Sequence, residues 1–205
     1  MENKVEEILK ELKITEEVVT IYPYGSHVYG SAKEGSDVDY IIVTKGAFLK
    51  SGGFKQNAIS SFDKKAQGVL YSRSGFTDAI NNYEIAALEC LSLEPDKIIL
   101  SKWPFKLHKW DEKEMVKNII KKASASWYIA SEQSKNDDKH LAKKGIYHAL
   151  RILMFGLQLK EHKKIIDFQC SNELKQEIYN LPDDMFDDRL YLKLRDELIT
   201  KLKEK

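Results

Sequence analysis

The chain has 205 residues, of which 42% are hydrophobic and 10% aromatic, so it can fill the core of one large domain or two small ones. Its 33 Lys and Arg nearly balance its 32 Asp and Glu, and the net charge of +1 therefore gives no argument for or against a nucleic-acid partner. Two cysteines exclude a disulfide framework, and the lack of a signal sequence or a long apolar run predicts a soluble, cytoplasmic protein with no membrane partner.

The first half of the chain combines helical and strand patterns. Residues 5–12 carry apolar side chains at helical spacing among Glu and Lys, which predicts a short amphipathic helix. Residues 45–65 lack clear periodicity and predict a long surface excursion. A second helix is predicted to begin after Asn81 or Asn82. Runs rich in β-branched, aromatic or other apolar residues predict strands at 18–24, 37–44, 67–72, 76–80 and 97–100.

After Pro104 the pattern becomes helical throughout. Apolar residues recur at helical spacing, and they predict helices at 111–134, 139–160, 171–179 and 189–203. We therefore expect an α+β fold, in which a mixed β-sheet with flanking helices occupies residues 1–105 and a helical domain occupies residues 106–205.

Two acidic residues open the most strand-like segment of the chain. Asp37 and Asp39 are two residues apart, so a strand would present both carboxylates on one face, just before the apolar run 41–43. Two like charges at that separation repel unless a cation lies between them, and oxygen ligands suit Mg²⁺ or Mn²⁺. The spacing predicts a divalent metal site at Asp37 and Asp39.

The turn-prone stretch before these acids suggests a second component of the site. Gly25 allows the backbone to approach a ligand closely, and Ser26 adds a hydroxyl where free N–H groups could attract phosphate. Metal and phosphate would then meet in one cleft, which is the arrangement needed to move a nucleotidyl group.

Gly25 and Ser26, followed by Ser36, Asp37 and Asp39 at the start of a strand, resemble the nucleotidyltransferase superfamily, which includes DNA polymerase β, the nucleotide-adding tRNA enzymes and the aminoglycoside nucleotidyltransferases. The resemblance implies that residues 1–105 form a catalytic domain. It also implies the transfer of a nucleoside monophosphate from a nucleoside triphosphate to an acceptor hydroxyl, with release of pyrophosphate. Mg²⁺ or Mn²⁺ would be held by the two acids, and Gly25, Ser26 and Ser36 would contact the nucleotide.

Residues 76–80, followed by Tyr83-Glu84-Ile85 and a Leu-rich helix, are loosely similar to a bacterial and phage branch associated with RNA repair, which makes an RNA end a candidate acceptor. Enzymes of this superfamily use a third carboxylate on a nearby strand. Asp78 is the candidate and Asp63 the runner-up, and the third acid would complete the catalytic metal site and help to deprotonate the attacking hydroxyl.

Basic residues in the second half give a further candidate nucleotide-binding group. Lys143, Lys144, His148 and Arg151 recur at about one and two helical turns, which would form a basic stripe facing a triphosphate or a polynucleotide. The alternative interpretation is a solvated helix face.

Two other functional classes stay open at this point. The same fold could serve as a non-catalytic nucleotide-binding or partner module, such as one half of a toxin–antitoxin pair. Support for that interpretation increases if neither Asp78 nor Asp63 lies near Asp37 and Asp39. A magnesium-dependent hydrolase using the same acids is the weaker alternative, because the sequence offers no obvious nucleophile for a phospho-enzyme.

Overall fold

A computed structural model describes residues 2–46, 56–61 and 65–204 of the chain. It divides into two compact units, Met1–Lys109 and Trp110–Lys205. The first unit contains a sheet with helices, and the second is helical.

The first unit is built on a five-stranded mixed sheet. Its helices are α1 (Glu2–Glu11), α2 (Arg73–Asn81) and α3 (Ile85–Ser92). Its strands are β1 (Val18–Tyr24), β2 (Val38–Thr44), β3 (Gln56–Ser60), β4 (Ala66–Ser72) and β5 (Leu100–Ser101). The strand order is β3-β4-β2-β1-β5, and β2 and β4 run parallel while the other neighbouring pairs are antiparallel.

Both faces of the sheet are covered, because the strands alternate their apolar side chains between two cores. The core on the α2 and α3 face contains Val19, Tyr22, Ile41, Val43, Tyr71, Phe76, Ala79, Ile80, Ala87 and Cys90. The core on the α1 face contains Ile8, Leu12, Val18, Ile21, Tyr40, Ile42, Ala66 and Leu70. Asp39 lies two residues before Ile41 and therefore belongs to the α2 and α3 face of β2.

The strand predicted at 97–100 is shorter and shifted, as β5, and Lys97 lies in a 3₁₀ turn. Two further segments differ from the sequence predictions. Residues 76–80, predicted as a strand, lie in α2, because Ser72 Oγ accepts a hydrogen bond from Gly75 N at 3.0 Å and caps the helix. Phe76, Ala79 and Ile80 then follow helical spacing toward the core. Within the predicted excursion 45–65, residues 56–60 form β3, which pairs antiparallel with β4. Residues 47–55 and 62–64 of that excursion lie outside the described residues.

The second unit contains α4 (Glu112–Lys135), α5 (Lys139–His162), α6 (Asn172–Asn180) and α7 (Leu192–Lys203). Asp111 and Asp138 cap α4 and α5 through their side chains. A Cβ added at Gly145 would lie 2.6 Å from Ala130 Cβ, so α4 and α5 pack closely at that glycine. The predicted α+β class, with a mixed sheet followed by a helical part, is confirmed. Among the helices of the described residues, none is long and apolar enough to cross a membrane.

Candidate active site at the edge of the sheet

Three strands bring polar residues to one edge of the sheet. The antiparallel pairing of β1 and β2 places Tyr24, the last residue of β1, opposite Asp39. The parallel pairing of β2 and β4 places Gln67 opposite the same Asp39. Because β2 and β4 begin where β1 ends, Gly25, Asp37 and Gln67 all lie at this edge.

The backbone at Gly25 is packed directly against the Asp39 carboxylate. Gly25 has a φ of +73°, and a Cβ added there would lie only 2.0 Å from Asp39 Oδ2 and 2.7 Å from Asp39 Cγ. Any side chain would collide with the carboxylate, and an L-residue would also be strained at this φ. Gly25 is therefore required for the close approach of the loop after β1 to the start of β2.

Asp37 is fixed by the neighbouring strand. Its Oδ2 accepts a hydrogen bond from Gln67 Nε2, and Val38 N donates to the Lys65 carbonyl at 2.7 Å. Both Asp37 and Asp39 are half-buried. The structure therefore gathers the two predicted acids at one partly shielded place on the sheet edge.

Ser26 and Ser36 belong to the turns that lead into this edge. Ser26 lies in a short 3₁₀ turn (Gly25–His27), and its carbonyl accepts from Ser31 N at 3.0 Å. Ser36 Oγ accepts from Lys33 N at 2.8 Å, and Ser36 N donates to the Lys33 carbonyl at 3.0 Å. Ser36, predicted to contact the nucleotide, thus closes the turn that delivers Asp37 to β2.

A buried polar pair anchors the same loop, and sequence reasoning missed it. Tyr29 Oη donates to Glu89 Oε2 at 2.5 Å, and both residues are buried. The Tyr29 ring also packs edge to face against Tyr24, with 6.1 Å between centroids. This bond ties the loop between β1 and β2 to α3. The available signal was an acid within the otherwise apolar segment of α3, flanked by Leu88 and Cys90.

Asp78, the predicted third carboxylate, does not lie on a strand. It is on α2, where it lines a small cavity of about 220 Å³ with Arg73, Ser74, Thr77 and Trp103. Among residues 2–46, 56–61 and 65–204, no group of three or more His, Cys, Asp or Glu side chains could hold a metal ion. The prediction that Asp78 sits on a strand is therefore wrong, because the Ser72 cap makes this segment helical, whereas its role as the third carboxylate stays a prediction. Asp63, the runner-up, lies outside the described residues.

The predicted basic stripe of the second unit is not one continuous exposed face. Lys143 is buried, where its ammonium group pairs with Asp183 and donates to the Leu181 carbonyl. Arg151 is also buried, with its guanidinium 5.6 Å from the Tyr147 ring centroid. Of the four residues only Lys144 is exposed, so a solvated helix face is wrong for the two buried cations.

His148 lies beside Arg151 on the same helix. Its Nδ1 is 3.0 Å from Arg151 Nη2. Burial, followed by the positive charges of Arg151, Lys122 and Lys144, lowers the pKa of His148 to about 3. At neutral pH His148 therefore offers hydrogen bonding to a ligand and no positive charge.

The lowered pKa of His148 predicts an acid-sensitive second unit. The unfolded chain takes up the proton near the ordinary pKa of 6.5, whereas the folded chain does not until about pH 3, so stability is lost as the pH falls through that range. His148→Gln should remove up to about 1.4 kcal/mol per pH unit of this dependence. Urea unfolding of both proteins at about pH 7 and about pH 5 measures the effect. If the wild type and His148→Gln lost the same unfolding free energy between the two pH values, the prediction would be contradicted.

At position 25, the steric clash of a side chain with Asp39 can be measured separately from the backbone strain of a positive φ. Gly25→Ala should lower the free energy of unfolding and displace Asp39, because the new methyl group occupies the carboxylate position. Gly35→Ala is the matched control, since Gly35 has a similar φ of +79° with nothing within 4 Å of an added Cβ. We expect about 1 kcal/mol of destabilisation at Gly35 and clearly more at Gly25 in urea unfolding. Equal losses of unfolding free energy in the two variants would show that the clash between residue 25 and Asp39 adds no destabilisation.

Comparison with known proteins agrees with this architecture. Residues 2–126 match the family described as nucleotidyltransferase domain. A solved structure, a nucleotidyltransferase-like protein from Exiguobacterium sibiricum 255-15, is 15% identical over 99% of this chain and 73% of its own, with a TM-score of 0.32. No curated protein matches the chain. Because the family match covers more than half of the sequence and includes the whole sheet edge described above, the chain belongs to the nucleotidyltransferase domain family.

Proposed function

We propose that this protein transfers a nucleoside monophosphate from a nucleoside triphosphate to an acceptor hydroxyl and releases pyrophosphate, in a reaction that requires Mg²⁺ or Mn²⁺. The observation that carries the proposal is the placement of Asp37 and Asp39 together at the edge where β1 ends and β2 and β4 begin. Membership of the family supports a general nucleotidyl transfer function.

The chemistry of this edge fits a hard divalent cation. Asp37 and Asp39 offer carboxylate oxygens, which Mg²⁺ and Mn²⁺ prefer. Both side chains are half-buried, so their mutual repulsion is screened less than it would be in open water. A cation held by Asp37 and Asp39 would relieve that repulsion and would supply positive charge at the reacting phosphate.

Each residue of the edge has a distinct part in the proposal. Asp37 and Asp39 hold the cation, and the loop packed on Asp39 at Gly25 keeps that carboxylate in one position. Backbone N–H groups around Gly25 and Ser26 bind the triphosphate. Ser36 closes the turn that precedes Asp37, and its hydroxyl, which can still donate a hydrogen bond, contacts the nucleotide.

The proposal includes an acceptor. An RNA end is the acceptor that the looser sequence resemblance implies.

The proposal also gives the second unit a role in binding phosphate. Among the predicted nucleotide ligands Lys144, His148 and Arg151, the exposed Lys144 is the cation best suited to attract phosphate. Arg151 contributes to this phosphate-binding role through its contact with His148 and its packing on Tyr147.

A second candidate is a nucleotide-binding module without catalysis, such as a sensor or one half of a toxin–antitoxin pair. The observation that favours it is the donor set: in the described residues Asp37 accepts a hydrogen bond from the amide of Gln67, and no third carboxylate completes a metal-binding group with the two acids. Metal-dependent nucleotide binding without transfer would be its signature.

Transfer of α-labelled nucleotides tests the proposal directly. Each of the four triphosphates is incubated with Mg²⁺ or Mn²⁺ and separate pools of RNA, protein and small molecules. We expect label to move into one pool, and Asp39→Asn to reduce transfer by about 100-fold or more, because one cation ligand loses its charge.

Asp96→Asn is the control for that experiment, since Asp96 is an exposed acid of the same unit whose carboxylate pairs only loosely with Lys97 at 3.8 Å. It should transfer at the wild-type rate. Undiminished transfer by Asp39→Asn would refute the site. Metal-dependent binding of nucleotide with no transfer into any pool would favour the non-catalytic module.

A further inference from the structure

Gln67 is placed against both acids by two independent features of the fold. The parallel register of β2 and β4 puts Gln67 opposite Asp39. Alternation along β4 puts its side chain on the same sheet face as Val69 and Tyr71, which is the face that carries Asp39. Its Nε2 donates to Asp37 Oδ2. One side chain on β4 therefore bonds to Asp37 and lies on the sheet face that carries Asp39.

The chemistry of the amide complements a cation in two ways. Donation from Nε2 holds Asp37 in one orientation, which leaves the Oε1 end of the same amide as an oxygen acceptor. An amide oxygen is a good ligand for Mg²⁺ or Mn²⁺, but it brings no charge. Among the described residues, these three side chains thus offer oxygen ligands, and the negative charge comes from Asp37 and Asp39.

We propose that Gln67 is a positioning residue that fixes Asp37 for metal binding. This inference rests on the metal site of the proposed function. A carboxylate that its neighbour already holds in one orientation loses less conformational freedom when it binds a cation, so the hydrogen bond from Nε2 should raise the affinity for the metal.

Titration of the nucleotide-free full chain with Mn²⁺, with free Mn²⁺ measured by electron paramagnetic resonance, tests this inference. Wild type should bind Mn²⁺ at this site, and Asp39→Asn should lose that binding. Gln67→Glu has the same length and adds a charge, so it should tighten Mn²⁺ binding by about tenfold or more. Gln67→Ala should weaken binding, because Asp37 loses its donor. A purely structural role of Gln67 would not move the affinity in opposite directions.

Thermal melting gives a second readout and confirms that each variant folds. Without metal, Gln67→Glu should melt below wild type because three like charges are gathered, and saturating Mn²⁺ should raise its melting temperature more than that of wild type. Asn3→Asp is the control, since it makes the same amide-to-carboxylate change at an exposed position of α1, on the other face of the sheet. It should leave Mn²⁺ affinity unchanged.

Equal Mn²⁺ affinities of wild type, Gln67→Glu and Gln67→Ala would overturn the role of Gln67. That outcome leaves nucleotidyl transfer itself intact, because transfer is judged by the effect of Asp39→Asn. Conversely, the predicted order of Mn²⁺ affinities with no nucleotide transfer would support Gln67 and refute the enzyme. If wild type bound no Mn²⁺ at all, both the metal site and the inference drawn from it would fail.

Discussion

The contact between the Gly25 backbone and the Asp39 carboxylate is the constraint on which the site depends. It requires β1 to end opposite the start of β2, and it requires a residue without a side chain in a left-handed conformation at that end. The Tyr29–Glu89 hydrogen bond holds the following loop against α3. Loop and strand are therefore fixed relative to each other before any ligand binds, which is the preorganisation that metal and phosphate sites need.

The electrostatics of the edge follow from the sheet topology. Strand β4 is the parallel neighbour of β2, and both strands begin at the same edge of the sheet. Gln67, near the start of β4, therefore lies at the same edge as the two acids. Its amide stabilises Asp37 without neutralising it. Two partly shielded negative charges then remain beside each other, and a divalent cation is the ligand that relieves this arrangement most directly. Such a cation is also what a nucleotidyl transfer reaction needs at the phosphate.

Local patterns in the sequence were sufficient for the strands β1 and β2 and for the position of Asp37 and Asp39 at the start of β2, because alternation and the two-residue spacing are properties of neighbouring residues. The helix α2 was missed because a short apolar run fits helix or strand, and only the Ser72 cap decides. Strand β3 and the role of Gln67 depend on pairing with β4, which no local pattern reveals. Burial of Arg151 likewise follows from packing on aromatic rings, which helical spacing alone does not determine.

The central claim is that Asp37 and Asp39 together hold the cation that carries a nucleoside triphosphate. A crystal structure of the full chain with Mn²⁺ and a non-hydrolysable triphosphate analogue, with Mn²⁺ located by its anomalous scattering, tests it most directly. We expect an anomalous peak about 2.1 Å from oxygens of both carboxylates, with phosphate oxygens completing its coordination. Mn²⁺ bound elsewhere, or the analogue bound with no metal contact to either acid, would contradict the account.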